Sequence, residues 1–132
     1  MIEKSKIKKG LIFWKNCESF IRIPNSNIYI KSPAGLMQIE EFVNNNLVTC
    51  SIYCKELFGA QVVVASDYIK KYATEIVLDN ADRQEMMYLH NSIAFERFIN
   101  HDWSTKVPDS LKRRVSNFLC RDFYQKYNLK EK

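Results

Sequence analysis

The sequence predicts a mainly α protein, a single compact helical domain with a short β-hairpin near residues 20–31. Its 132 residues have the length of one domain. The chain contains three Gly and three Pro, so we expect long regular elements with few tight turns. Hydrophobic residues make up 46% of the chain, which is a folding composition, and several segments carry them at helical spacing.

The first predicted helix covers residues 7–21, where apolar side chains recur at close to helical spacing. The next stretch, FIRIPNSNIYIK from Phe20 to Lys31, alternates apolar and polar residues on both sides of a Pro-Asn-Ser-Asn turn. Such alternation is typical of a small hairpin or of an extended connection.

A second helix is predicted to begin at Ser32 as N-cap, with Pro33 in the first helical position. Its buried stripe would consist of Leu36, Ile39, Phe42 and Val43. The asparagines at 44–46 would end it, because Asn competes for backbone hydrogen bonds and tolerates left-handed conformations. Residues 47–60 fit a strand or a helix, and the β-branched run at 61–66 fits a strand or the buried start of the next helix.

The following helix would be capped by Ser66 and Asp67 and would continue through residue 78. Its inward-facing residues would be Tyr68, Ile69, Tyr72, Ile76 and Val77. Asp79 or Asn80 would open the next helix, whose sequence EMMYLHNSIAFERFIN continues without interruption to Asn100.

The last predicted helix opens at Pro108-Asp109-Ser110 and runs to about Asn128. One face of this helix is apolar and consists of Leu111, Val115, Phe118, Leu119 and Phe123. Arg113, Arg114 and Arg121 fall within an arc of about 100° beside it. Arginine matches phosphate with two parallel donors and also reads guanine edges, so the arc fits a DNA contact or a solvated helix face.

The net charge of +5 is unevenly distributed. Residues 1–15 carry five Lys against one Glu, residues 16–105 seven basic against eleven acidic side chains, and residues 106–132 eight basic against three acidic ones. Two basic ends around an acidic middle indicate contact with a polyanion, of which nucleic acid is the commonest, or simply solvated termini.

The residues that often carry chemistry form no motif in this chain. Cys50 and Cys54 supply two thiols, whereas a structural zinc site usually takes four ligands, and His90 or His101 would have to complete it through the fold. His90 lies among apolar neighbours, so we interpret it as structural rather than catalytic. We therefore predict no metal, no cofactor and no enzymatic activity, with the four cysteines as free thiols.

Two stretches resemble the FlhD family, the all-α subunits of the FlhD–FlhC transcription activators. MQIEEFVNNNLVTC (Met37 to Cys50) is similar to a helix that ends in an Asn-containing turn followed by Leu-Val. MYLHNSIAFERFIN (Met87 to Asn100) resembles the FlhD helix with His, Ile, Arg and Asn at matching intervals. The chain is more similar to divergent subunits in activators of conjugative mobile elements than to the flagellar protein.

The resemblance implies a DNA-associated transcriptional activator subunit that forms a homodimer, binds double-stranded DNA with an FlhC-like zinc-binding partner and acts on RNA polymerase. We expect it in the cytoplasm, with no membrane association. The predicted DNA contacts are Lys112, Arg113, Arg114, Arg121 and Lys126. The predicted partner interface consists of Met86, Leu89, Ile93, Phe95 and Phe98. The alternative is a small helical interaction or inhibitor protein whose basic ends bind an acidic partner.

Overall fold

A computed structural model describes residues 2–16, 18–32, 34–53, 60–100 and 108–129, with the side chains of residues 97–100 left out. The chain divides into two compact units, Met1–Ile76 and Val77–Lys132. We call them the sheet unit and the helical unit. The prediction of a mainly α fold is wrong, because the described part of the sheet unit is dominated by a seven-stranded antiparallel sheet.

The strands of this sheet are β1 (Ile12–Lys15), β2 (Ser19–Arg22), β3 (Tyr29–Ser32), β4 (Gly35–Phe42), β5 (Leu47–Tyr53), β6 (Gln61–Ala65) and β7 (Ala73–Glu75). Their order across the sheet is β3-β2-β6-β5-β4-β1-β7. A short helix, α1 (Ser66–Tyr72), connects β6 to β7. Strands β4, β5 and β6 form a meander, and β2 and β3 form a hairpin beside it.

The sheet is strongly curled, as the short link between β1 and β2 requires. Four strand spacings separate these strands, which would be about 19 Å in a flat sheet. The four residue steps from Lys15 to Ser19 span at most about 14 Å. Curling brings the two strands together, and Lys15 Nζ lies 3.1 Å from Ser19 Oγ and 3.0 Å from the carbonyl oxygen of Ser32.

The inner face of the curled sheet forms an apolar core. Cross-strand partners share a face, and the register matches Phe13 with Met37 and Ile39 with Cys50. The buried inner residues are Phe13, Met37, Ile39, Val48, Cys50, Ile52, Val62 and Val64. Lys15 is buried on the same face at the end of β1, where its ammonium group donates to the two oxygen atoms named above.

The predicted helix after Ser32 is wrong, since residues 35–42 form strand β4; Pro33 lies outside the described residues. A register shift between Ile39 and Glu41 explains the misleading pattern. Before the shift the inward residues are odd-numbered, and after it Phe42 lies on the same side as its partner Val48, although at the strand end Phe42 is 44% exposed. A β-bulge therefore spaces Ile39 and Phe42 three apart, as in a helix.

The asparagines at 44–46 form the hairpin turn between β4 and β5 instead of ending a helix. Asn44 Oδ1 accepts hydrogen bonds from the backbone amides of Asn46 at 2.7 Å and Leu47 at 3.0 Å. The Val43 amide donates to the Leu47 carbonyl at 2.9 Å and closes the turn. Asparagine thus competes for backbone groups as expected, but between two strands.

Of two further helix predictions in the sheet unit, the first is wrong and the second is correct in its start but too long. Residues 7–21 contain strands β1 and β2, and β1 is held between β4 and β7. The helix predicted from Ser66 to residue 78 ends at Tyr72, which is more than half exposed. The open question over residues 47–66 is decided in favour of strands β5 and β6 for the described residues.

The helical unit contains α2 (Asn80–Asn100), α3 (Asp109–Phe118) and α4 (Arg121–Lys126). Asp79 caps α2 as predicted, because its Oδ1 accepts from the Asp82 amide at 2.8 Å. The opening of α3 after Pro108 is also confirmed. A single last helix to Asn128 is wrong, because the chain leaves helical geometry at Leu119 and Cys120. None of the described helices combines the length and hydropathy needed to span a bilayer.

Candidate nucleic-acid interface

The β2–β3 hairpin carries two aromatic and two cationic side chains on its outer face. Phe20 pairs with Lys31 and Arg22 with Tyr29, so these four residues lie on one side of the hairpin. Phe20 is 69% exposed and Tyr29 62% exposed. The alternate residues face inward, and Ile21 is among the buried ones. We call Phe20, Arg22, Tyr29 and Lys31 the hairpin face.

The hairpin loop orients the guanidinium group of Arg22. Arg22 Nη1 donates to the carbonyl oxygen of Ser26 at 3.1 Å. Ser26 Oγ donates to the Ile23 carbonyl at 3.1 Å and accepts from the Ile28 amide at 3.2 Å. Asn25 has a φ of 59°, a left-handed conformation that Asn tolerates. The loop therefore holds the cation at the end of β2 while other N–H groups of Arg22 remain for a ligand.

A cleft of about 310 Å³ lies beside the hairpin face within the sheet unit. Phe20, Arg22 and Tyr29 line one side of it. Its lining continues across β6 through Val63, which is the cross-strand partner of Arg22, to Tyr68 of α1. The ring of Tyr68 contacts the ring of Tyr72 on the same helix, and the ring centroids are 5.2 Å apart.

The charges around the cleft are mainly positive. Lys70 and Lys71 are exposed on α1, and Lys71 neighbours Tyr68 on the helix surface because it follows three residues later. Lys31 forms an ion pair with Glu18 at 3.1 Å, with both side chains more than half exposed. Residues 1–76 carry ten basic side chains against seven acidic ones, a net charge of +3. The surface therefore favours a negatively charged ligand.

Two of the predicted DNA-binding cations are engaged within the helical unit. Arg114 Nε and Nη2 each donate to Glu85 at 2.8 Å, and its guanidinium lies 3.8 Å from the centroid of the Tyr88 ring. The hydrogen bond from Arg114 lowers the pKa of Glu85 below its ordinary value. Lys126 Nζ donates to Asp79 and Asp82, and these bonds raise the pKa of Lys126.

The other three predicted DNA contacts are exposed. Lys112 and Arg113 lie on α3 and Arg121 begins α4, and none of them forms an ion pair with another described residue. Because the chain leaves helical geometry between α3 and α4, Arg113 and Arg121 do not share a continuous helix face as predicted.

The predicted partner interface is divided by burial. Met86, Leu89 and Ile93 are buried in the chain itself, whereas Phe95 is 62% exposed. The side chain of Phe98 lies outside the described residues. In this structure the first three side chains are therefore covered by the chain itself, and Phe95 is the exposed one among the described members of the set.

A groove of about 570 Å³ lies between α2 and α3 within the helical unit. Tyr88 and Phe95 contribute aromatic surface to it, and Leu111 contributes aliphatic surface. Arg114 and Glu96 place charges of opposite sign in the lining. The groove is thus amphipathic, unlike the cleft in the sheet unit, where the charged lining residue is cationic.

The predicted chemistry-bearing residues are dispersed. Cys50 is buried in β5, and its burial, followed by the charge of Glu40, raises the pKa of its thiol. Cys54 and His101 lie outside the described residues, and His90 is half-buried on α2. Among the residues that the structure describes, no three His, Cys, Asp or Glu side chains are grouped as metal ligands would be.

Comparisons with protein-family models, with curated proteins and with solved structures find no match. The first stretch that resembles FlhD, Met37 to Cys50, is a pair of strands in this structure, so the all-α fold implied by the resemblance is contradicted. The second stretch does lie on a helix, α2.

Sequence reasoning predicted the hairpin but missed its outer face. The signal was the alternation in FIRIPNSNIYIK, where Phe20 and Arg22 have one parity and Tyr29 and Lys31 are matched to them across the turn. Testing the positions that alternate with the isoleucines for a shared chemistry would have found the aromatic and cationic set.

Proposed function

We propose that this protein binds nucleic acid through the hairpin face. The observation that carries the proposal is the pairing of an exposed aromatic with a cation at both cross-strand positions, Phe20 with Lys31 and Tyr29 with Arg22. Aromatic rings stack on bases, and cations neutralise the phosphates between them. A nucleic acid uses both chemistries of this face together.

The exposure of the two rings supports the proposal. Phe20 and Tyr29 are neighbours on an edge hairpin. Because their rings are exposed to water, their apolar surface contributes little to the stability of the fold. Exposed aromatic surface rimmed by polar groups marks an interaction site. The cations of the same face and of α1 select a polyanion as the partner.

The transcription-activator hypothesis remains a prediction, with its homodimer, its FlhC-like partner and its double-stranded DNA. Its structural basis is weaker, because the fold it implied is contradicted and because Arg114 and Lys126 are bound to carboxylates. We therefore retain nucleic acid as the ligand, but we place its contact on the β2–β3 hairpin and not on the last helices. Lys112, Arg113 and Arg121 are a competing cationic set on α3 and α4.

The test is a titration with labelled random-sequence oligonucleotides at several salt concentrations, comparing two double variants. Arg22→Ala with Lys31→Ala should weaken binding and flatten the salt dependence. Each phosphate contact that is lost reduces the number of counterions released on binding. Arg113→Ala with Arg121→Ala removes the same number of charges from the helical unit and should have the smaller effect. Unchanged affinity and salt slope in a folded hairpin variant would contradict the proposal.

A second candidate function, a protein-interaction subunit, is favoured by the groove between α2 and α3. Phe95 and Met87 are each more than half exposed on α2, and Phe95 lines the groove. Light scattering of the purified chain, with Phe95→Ser as the comparison, tests this candidate for self-association. A dimer that dissociates in the variant supports it, and a wild-type monomer at micromolar concentration removes self-association as its role.

A further inference from the structure

The sheet unit offers a row of aromatic rings rather than an isolated one. Phe20 and Tyr29 are diagonal neighbours on the hairpin, since each is paired with the cation next to the other. Diagonal neighbours on an antiparallel pair are about 7–8 Å apart, close enough for successive bases of one strand to reach both rings. Tyr68 lines the far side of the cleft, followed by Tyr72.

The backbone that carries Phe20 and Tyr29 is fixed by strand pairing. Backbone pairing in four consecutive registers fixes β2 against β3, and the Arg22–Val63 pairing joins the hairpin to β6. Aromatic side chains lose little conformational entropy when a ligand covers them, because they have two rotatable side-chain bonds. A ligand that stacks on these rings therefore orders few rotatable bonds, on strands whose positions are already set.

Exposed aromatic rings provide a physical basis for distinguishing single strands from duplexes. In a duplex the faces of the bases are covered by their neighbours, and a protein reaches the phosphates and the base edges in the grooves. In a single strand the faces are available, and aromatic side chains stack on them irrespective of sequence. The lysines and Arg22 would contact phosphates of either form, whereas Phe20 and Tyr29 would stack on bases of a single strand only.

We propose that the protein binds single-stranded nucleic acid, with successive bases stacked on Phe20 and Tyr29 and the cleft beside Tyr68 receiving the next base. This inference rests on the proposed nucleic-acid function and specifies its substrate class. The phosphates run past Arg22 and Lys31, each of which lies directly across from one of the two rings. Recognition is independent of sequence, because every base has a face to stack.

The test uses fluorescence anisotropy of the full chain with mixed-sequence 12-mers as RNA, as DNA, as the matching DNA duplex and as a DNA strand with abasic sites. We expect the single strands to bind at least tenfold more tightly than the duplex. The abasic strand, which retains its phosphates, should lose about tenfold in affinity for each stacked base removed. The RNA and DNA arms show whether the sugar matters.

The variants separate stacking from charge and from simple apolar contact. Phe20→Leu with Tyr29→Leu keeps apolar surface and removes both rings, and it should abolish the preference for single strands while leaving the salt slope unchanged. Phe20→Tyr with Tyr29→Phe keeps both rings and should bind like the wild type. Phe42→Ala, an exposed phenylalanine of the same sheet outside the cleft, is the matched control.

Two results overturn the inference in distinguishable ways. Equal affinity for single strand and duplex, with no effect of the leucine variant, refutes single-strand stacking and leaves the proposed nucleic-acid function standing. Absence of binding to every oligonucleotide at low salt refutes both.

Discussion

Two lysines show how differently the two units of the chain hold a charge. Lys15, in the sheet unit, is fully buried and donates to neutral oxygen atoms, Ser19 Oγ at 3.1 Å and the Ser32 carbonyl at 3.0 Å. Lys126, in the helical unit, has a side chain that is 48% exposed and pairs with the carboxylates of Asp79 and Asp82. Of the acceptors named here, those of the buried lysine are neutral and those of the exposed lysine are charged.

Exposure to solvent determines how much stability each lysine loses when its hydrogen bonds are broken. Water replaces the partners of an exposed ammonium group when an ion pair breaks, and it screens the pair while it exists. A buried group has no such replacement, so that removing either side leaves an unsatisfied polar atom in the interior. Burial, and not the formal charge of the partner, therefore decides how much each contact contributes to stability.

The largest effect that tests this comparison is expected at Lys15. Lys15→Ala removes a buried side chain, leaves a cavity and deprives the Ser32 carbonyl of a donor, and we expect a loss of about 3 kcal/mol in the free energy of unfolding. Lys126→Ala should cause a small loss, within the range of ordinary surface substitutions. Urea denaturation followed by circular dichroism measures both. Equal losses in the two variants would refute the argument from burial.

An intermediate effect is expected at the turn between β4 and β5. Asn44→Ala removes the acceptor of two backbone hydrogen bonds at an exposed site, and we expect it to cost about 1 kcal/mol. Asn45→Ala is the matched control in the same turn, since its side chain makes no hydrogen bond with another described residue. The same urea measurement applies, and a control that loses as much as Asn44→Ala would contradict a specific role of the Asn44 oxygen.

A smaller effect is expected from the carboxylates of the helical unit. Their hydrogen bonds from Lys126 and Arg114 lower the pKa values of Asp79 and Glu85. A carboxyl group with a lower pKa in the folded chain stabilises the fold above its unfolded pKa of about 4, and this contribution disappears as pH falls through the folded pKa. Stability should thus fall below about pH 4.

Substituting these carboxyl groups sharpens that prediction. Asp79→Asn with Glu85→Gln should lower the stability at pH 7 and make the decline toward pH 3 shallower than in the wild type. Glu3→Gln is the control, because Glu3 is exposed and forms no ion pair with another described residue. Parallel pH profiles for the wild type and the double variant would show that these pairs contribute nothing to the pH dependence.

The smallest effect is expected at Ser51, a buried residue of β5. Its hydroxyl oxygen has no hydrogen-bond partner within the described structure. Ser51→Ala should leave stability unchanged or raise it by up to about 1 kcal/mol, because a buried unpaired polar group is costly. Thr49→Val is the contrast, since Thr49 Oγ1 donates to the Glu41 carbonyl at 3.3 Å. Destabilisation by Ser51→Ala would indicate that its hydroxyl has a partner after all.

The sequence predicted the helical unit better than the sheet unit because helix signals are local. Asp79 caps the helix that follows it, and Pro108 precedes the helix that starts at Asp109. Strands depend on partners that are distant in the chain, and the bulge between Ile39 and Glu41 gave β4 a helical spacing. A pattern that changes parity inside a strand cannot be recognised without knowing the opposite strand.

The candidate site was harder to predict than the hairpin that carries it. The alternation around the turn indicated two strands, but the contribution of Tyr68 depends on how α1 and β6 pack beside them. The arginine cluster had the clearer signal in the sequence. However, the pairing of Arg114 with Glu85 spans 29 residues between two helices and is invisible to local reasoning.

The pairing of β1 with β7 has a consequence for the order in which the protein forms. Phe13 is matched with Glu75, so the sheet joins residues that lie far apart in the chain and are synthesised at different times. Contacts of such large sequence separation slow folding, because the entropy of closing the loop is lost before the contact is gained. During synthesis, one edge of β1 stays unpaired until β7 has emerged from the ribosome. In that interval the unpaired edge can form hydrogen bonds with a strand of another chain.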